Sequence, residues 1–258
     1  MAGFAYFRLR ALDGPFSRAL GSPPRSFLAA VLLCVPAVGL GAAVLCATAP
    51  TLAANLAIAL FLTASALTYP ALRGTYPHPA LGACNLITTL RMAMVCVLGA
   101  AVAQPVPHAV PLFTLAMVAL ALDGVDGWLA RRSGLVSGFG ARFDMEVDAA
   151  LAAVLALLLI RMDDGGIGPT AALMVLGAAR YAFVAAAMML PWLRRPLPFS
   201  QARRAICVVQ IAALSLLLLV GPASLAGRIG LTLAAALILW SFGRDILWLY
   251  RRRGLHCA

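Results

Sequence analysis

Long apolar stretches alternate with short polar segments over most of the chain. A helix needs roughly 20 apolar residues to cross a bilayer, and the pattern therefore predicts eight transmembrane helices. We place them at about 27–49, 51–69, 85–104, 109–130, 140–161, 169–192, 205–221 and 227–249. Only Pro50 separates the first two. The expected fold is an all-α polytopic membrane protein without a separate soluble domain.

Composition and charge agree with a membrane location. Of the 258 residues, 63% are hydrophobic, whereas soluble domains are about half apolar. The 20 basic residues are all arginine, and the formal net charge is +11. In a membrane protein this excess predicts contact with anionic lipid headgroups. Nucleic-acid binding is not expected, because the chain has no soluble basic domain to carry it.

The arginines occupy alternate segments between the predicted helices. Fourteen of the 20 lie in 1–26, 70–84, 131–139, 193–204 and 250–258. The intervening segments without arginine are 105–108, 162–168 and 222–226. Because basic residues are retained on the cytoplasmic side, both termini are predicted to be cytoplasmic. Residues 1–26 then form a basic cytoplasmic arm, 27–69 two N-terminal helices and 251–258 a cytoplasmic tail, in what we take to be a bacterial inner membrane.

Acidic residues are concentrated in one window. Five of the nine acids lie there, in a region that spans the turn between the fourth and fifth predicted helices. The window contains the pattern Asp123-x2-Asp126-Gly127-x2-Ala130-Arg131-x8-Gly140-x3-Asp144-x3-Asp148. An Asp deep in a bilayer costs roughly 2.5–3.5 kcal/mol on insertion scales, so four of them need a compensating charge.

The spacing predicts how these acids meet. Asp123 and Asp126 are three residues apart, and Asp144 and Asp148 are four apart, so each pair lies on one face of its helix. Two helices joined by a short turn can bring the four carboxylates together. Such an oxygen-rich site suits one or two Mg²⁺ or Mn²⁺ ions.

The other residues of the pattern have two interpretations each. Gly127, Ala130 and Gly140 either leave room for a ligand or allow close helix packing. Arg131 either contacts a phosphate or anchors the helix at the cytoplasmic interface. Their fixed offsets from the four acids favour the ligand interpretation.

This pattern resembles the signature of the CDP-alcohol phosphatidyltransferase family, with all eight identities present. The resemblance implies a six-helix catalytic core over 85–250, and it leaves the helices in 27–69 unexplained. Family members often open the first core helix with Asn-x2-Thr-x2-Arg, which here is Asn85, Thr88 and Arg91. The resemblance implies that this segment helps to bind the CDP group. Alternatively, Asn85 caps the helix and Arg91 snorkels to the interface.

The resemblance also implies the chemistry. A phosphatidyl group would pass from a CDP-linked lipid, most often CDP-diacylglycerol, to the hydroxyl of a polar alcohol, with release of CMP. The four Asp would bind two metal ions, and Asp148 would also accept the proton of the hydroxyl. The residues implied to contact the donor are Asn85, Thr88, Gly127, Ala130, Arg131, Ser137 and Gly140. Membrane lipids are the expected surroundings, and homodimers are frequent in this family.

The acceptor is left open by the sequence. Phosphatidylglycerophosphate synthases typically carry Pro after the third Asp of the pattern and Lys after the fourth, and here Met145 and Ala149 occupy those positions. Arg180, Arg203 and Arg204 are candidates for binding the acceptor or its phosphate. The alternative for Arg203 and Arg204 is a role in topology alone.

A membrane transporter or channel with a carboxylate ion site is the competing function. It would explain acids within the membrane. It does not explain why the acids cluster at the predicted cytoplasmic side of the membrane. It also does not explain why Gly127, Arg131 and Gly140 lie at fixed offsets from these acids.

Overall fold

A computed structural model describes residues 22–105, 108–162, 167–195 and 200–252. These residues form eight α-helices and one short 3₁₀ helix, and they contain no strand. The α-helices are α1 Pro23–Leu45, α2 Pro50–Thr75, α3 Ala83–Val102, α4 Ala109–Ser133, α5 Gly138–Met162, α6 Ile167–Met189, α7 Gln201–Val220 and α8 Leu225–Arg251. Most of the predicted arm 1–26 and of the tail 251–258 lies outside the described residues.

The all-α membrane prediction is confirmed. Seven of the described helices, all except α5, are long and apolar enough to cross a membrane. The length of α5 is similar, but its first half carries Asp144, Glu146 and Asp148. The chain is therefore an integral membrane protein, and the long helix outside this set carries half of the acidic pattern.

Local sequence signals fix the helix ends. Proline occupies the first turn of α1 and of α2, where its missing N–H is no loss. Gly134 ends α4 in the left-handed conformation, with φ of 69°. Ser200 and Ser224 cap α7 and α8 by accepting hydrogen bonds from backbone N–H groups. The prediction of α2 was too short, because this helix continues through Pro70 to Thr75.

Helix α3 lies at the centre of the bundle. It packs against α1, α2, α4 and α5, while α7 packs against α4, α5 and α8. Helix α6 packs against α5 and α8 and is the least buried of the candidate spans, whereas α3 is the most buried. Helices α1 and α2 pack against each other, and both pack against α3. The division of the chain at 27–69 and 85–250 stays a prediction.

Candidate active site

One face of α3 supplies the buried polar residues of the site. Asn85, Thr88 and Arg91 are spaced three apart, so they follow one another along the same face. All three are buried, and the side chain of Arg91 is 0% exposed. Asn85 is not the helix cap that one interpretation allowed, because α3 begins at Ala83 after Gly82. Its amide instead donates to the hydroxyl of Tyr76 at 3.2 Å.

Helices α4 and α5 supply the four carboxylates, which we call the acid cluster: Asp123, Asp126, Asp144 and Asp148. Both helices pack against α3, which brings their acidic faces together around its polar face. Ligand oxygens of Asp123, Asp126 and Asp144 lie within 4.8 Å of one another. The predicted convergence of the two acidic stripes is therefore found, for these three acids, at metal-binding distances.

Arg91 lies between the four carboxylates. Its Nη1 is 3.3 Å from Asp123 Oδ1, donates to Asp126 Oδ2 at 3.1 Å and contacts Asp144. Its Nη2 contacts Asp148. Its Nε donates to the backbone carbonyl of Ala119 at 3.0 Å, which fixes the guanidinium in place. Arg91 is therefore buried among the acids and does not snorkel to the interface, and this central position was not predicted from the sequence.

The charge balance leaves the acid cluster able to bind cations. Four ionised carboxylates and one guanidinium give a formal charge of −3, and Arg204 approaches Asp123 at 3.9 Å. Hard divalent cations prefer carboxylate oxygens. The donor set and the excess negative charge both fit a divalent metal.

Thr88 connects α3 to the acid cluster. Its hydroxyl lies 3.0 Å from both the Cys84 carbonyl and Asp126 Oδ2, and both can accept from it. Cys207 of α7 approaches from the other side, where its Sγ lies 3.8 Å from Asp148 Oδ2. Asp126 therefore contacts two side chains of α3, whereas Asp148 contacts one side chain of α3 and one of α7.

Two guanidinium groups lie over Gly127. A Cβ atom at this position would lie 2.6 Å from Arg204 Nη2 and 3.4 Å from Arg131 Nη1. The absence of a side chain thus lets two cationic groups converge beside Asp123. Ala130 is half-buried one turn further along α4. Such a pair of cations is suited to a phosphate.

The turn into α5 places Ser137 and Gly140 near α3. Ser137 is buried, and its hydroxyl accepts a hydrogen bond from Gly140 N at 3.0 Å, which caps α5. A Cβ at Gly140 would lie 3.1 Å from Ser137 Oγ and 3.2 Å from Asn85 Oδ1. Gly140 therefore allows close approach between the start of α5 and the polar face of α3.

The three candidate acceptor residues separate into different environments. Arg204 adjoins the acid cluster, as described above. Arg203 donates to Asp245 Oδ2 at 2.8 Å, and Arg244 lies 3.4 Å from the other oxygen of this buried acid. Arg180 pairs with Glu146 between α6 and α5, apart from the four carboxylates.

Comparison with known proteins agrees with this arrangement. A family model described as CDP-alcohol phosphatidyltransferase matches residues 81–243, which is well over half of the chain. The match begins just before α3 and ends within α8, so it contains every residue of the acid cluster and omits α1 and α2. A search of curated proteins found no match.

Proposed function

The chain belongs to the CDP-alcohol phosphatidyltransferase family, and we propose that it moves a phosphatidyl group from CDP-diacylglycerol to the hydroxyl of a polar alcohol. Members of this family are phosphotransferases of phospholipid synthesis. The single observation that supports the assignment most strongly is the acid cluster, assembled from two helices within the matched region. A transporter or channel gives no reason for guanidinium groups to converge on a bare glycine beside these acids.

We propose that the acid cluster binds two divalent ions, Mg²⁺ or Mn²⁺. Divalent metals are generally used in this family, and three of the four acids already have oxygens within 4.8 Å. A bound divalent ion stabilises negative charge on the attacking and leaving oxygens of a phosphoryl displacement. Arg91 would balance part of the carboxylate charge from within the protein.

Asp148 is proposed as the proton acceptor. Its side chain is 17% exposed, so it is more accessible than the two acids of α4. The carboxylate would take the proton of the acceptor hydroxyl as its oxygen attacks the β-phosphorus. A new P–O bond forms, the bond from that phosphorus to the bridging oxygen breaks, and CMP leaves with the electron pair.

Arg131 and Arg204 are proposed to bind phosphate oxygens. Both groups converge over Gly127, and Arg204 is 41% exposed, so it can reach a ligand. Asn85, Thr88, Ala130, Ser137 and Gly140 remain proposed contacts of the donor. Arg203 and Arg180 remain candidates for the acceptor, although each already has an acidic partner.

The experiment is an acceptor screen. Purified protein in vesicles containing CDP-diacylglycerol and Mg²⁺ is given glycerol 3-phosphate, serine, inositol phosphate or choline. CMP release and the mass of the new lipid are then measured. One alcohol should yield both products, and Asp148→Asn should yield neither. Release of no CMP with any alcohol, from protein whose folding has been verified, would contradict the proposed donor and reaction.

The orientation in the membrane is a further part of the proposal. The acid cluster lies toward the arginine-rich ends of α4 and α7, which we propose to be cytoplasmic in a bacterial inner membrane. Single cysteines at Ser133 and at Gly165, which lies outside the described residues, would be introduced after removal of the native cysteines. An impermeant thiol reagent on intact cells should label the second and spare the first. The reverse pattern would overturn this orientation.

A further inference from the structure

A large apolar groove extends from the level of Leu90 to the end of the bundle where α1 finishes and α4 begins. Helices α1 and α4 both pack on α3, and the groove lies between them with α3 as its floor. Its volume is about 1020 Å³. Residues that line it include Gly41, Val44, Met94, Val97, Leu115 and Val118. It is formed partly by α1, which lies outside the family match.

The chemistry of the lining selects an apolar ligand. Leu40 and Val44 on one rim and Val110 on the other are largely exposed, so the groove opens toward the bilayer. Thr114 is a polar residue within the lining, and its hydroxyl donates to the carbonyl of Val110 at 2.9 Å. An open apolar groove within the membrane is expected to be filled by apolar material, because apolar surface is favourably buried in an apolar environment. Hydrocarbon from the surrounding bilayer is the available material.

The length of the groove matches one leaflet. Along α4 it runs from His108 to Val118, which corresponds to roughly 15 Å at the helical rise per residue. The hydrocarbon core of a bilayer is about 30 Å thick, so each leaflet contributes about half of that. Thr48 and His108 lie at the end where α1 finishes and α4 begins, which places polar groups where a lipid headgroup would sit.

We propose that this groove binds an acyl chain of a phospholipid from the leaflet opposite to the acid cluster. The lipid is a bound structural ligand and not the CDP-linked donor. Leu90 of α3 lines the groove, whereas the neighbouring Arg91 reaches the acid cluster, so the two sites occupy different faces of one helix. A donor whose diphosphate lies at the acid cluster cannot also place its headgroup at His108.

Native mass spectrometry tests this proposal. The protein is reconstituted with phosphatidylethanolamine and phosphatidylglycerol and then extracted in mild detergent. Gly41→Phe fills the groove, because a Cβ at Gly41 would face Val97 at 3.7 Å. Met94→Trp fills it from α3 and gives a second variant if the first fails to fold. The matched control is Gly230→Phe on α8, where a Cβ would meet nothing within 4 Å.

Wild type and Gly230→Phe should each retain a phospholipid, and the two groove variants should retain about tenfold less. Excess CDP with Mg²⁺ should leave retention unchanged in wild type, because the donor site is elsewhere. Equal retention by folded groove variants, or loss of the lipid on addition of CDP, would overturn the proposal. It would also be overturned if the groove variants converted a dimer to a monomer, since a second copy would then be the occupant.

Discussion

The two acids of α4 and the two acids of α5 differ in their surroundings. The side chains of Asp123 and Asp126 are 8% and 5% exposed, whereas those of Asp144 and Asp148 are 29% and 17% exposed. Asp126 is also near the hydroxyl of Thr88, which belongs to the same buried face of α3 as Arg91. All four acids contact Arg91, so the two pairs differ chiefly in exposure: the α4 acids are the more buried, and the α5 acids are more open to reactants.

This difference suggests a division of labour within the acid cluster. A carboxylate with little exposure is suited to holding a cation in a fixed position. A more accessible carboxylate can meet the acceptor hydroxyl and take its proton. The proposed base, Asp148, lies in the more open pair, which is where such a role requires it.

The largest loss of transfer activity is expected from substitution of an acid on α5. Asp148→Asn should reduce transfer at least about 100-fold, because loss of a positioned base typically costs that much. The fold and much of the donor binding should persist, since Arg91 keeps its other partners. CMP release, thermal unfolding and donor binding are measured in parallel.

Asp126→Asn is the matched control on α4. It should also reduce transfer, but it should in addition lower thermal stability and metal binding, because Asp126 is held by Thr88 and Arg91. If Asp148→Asn retained more than about a few per cent of wild-type turnover, its role as base would be excluded. Equal losses of stability in the two variants would remove the distinction between the pairs.

Arg91→Met should have the next largest effect, on stability. Removing one partner from a buried ionic network typically costs about 3–5 kcal/mol, because the remaining charges are left uncompensated. Added Mg²⁺ should restore part of the loss, since a divalent cation supplies the missing positive charge. Thermal unfolding in detergent with and without Mg²⁺ provides the measurement.

Arg180→Met gives the matched comparison for this change. Arg180 and Glu146 are 29% and 48% exposed, and more accessible ion pairs contribute less, commonly under about 1 kcal/mol. A loss of stability as large as that of Arg91→Met would mean that the burial of Arg91 among four acids contributes no more than a more accessible ion pair.

Much of the site could be predicted because its acids repeat at helical spacing. Intervals of three and four residues place Asp123 with Asp126 and Asp144 with Asp148 without any tertiary information. The position of Arg91 could not be predicted in the same way. Its partners lie on two other helices, and only the packing of α4 and α5 around α3 brings them to it.

The fold shows the same division between local and tertiary information. Apolar length predicted all eight long helices, and Pro50 marked the break between the first two. The end of α2 was placed too early because Pro70 and Arg73 indicate an interface, whereas the helix tolerates both. The pairing of Arg203 with Asp245 was likewise missed, because it joins α7 to α8.

A smaller effect, on donor affinity, is expected from Gly127→Leu. This variant tests whether the guanidinium groups of Arg131 and Arg204 bind the CDP-linked donor. The new side chain would displace Arg204 and Arg131, so affinity for CDP-diacylglycerol should fall about tenfold. Gly124→Leu is the matched control on the same helix, because a Cβ there would meet nothing within 4 Å. Donor binding is measured by titration in detergent.

Gly140→Leu extends the test to α5, where the side chain would meet Ser137 and Asn85. It should also weaken donor binding while the helices still pack. Unchanged donor affinity in both Gly127→Leu and Gly140→Leu would mean that these glycines serve helix packing alone.

The central claim is that the acid cluster is a divalent-metal site required for transfer. The most direct test measures bound Mn²⁺ and CMP release on the same sample during exhaustive chelation and re-addition of metal. We predict that both are lost together, that Mg²⁺ or Mn²⁺ restores activity, and that Asp126→Asn binds less Mn²⁺ at every concentration. Full CMP release from metal-free protein would contradict the account.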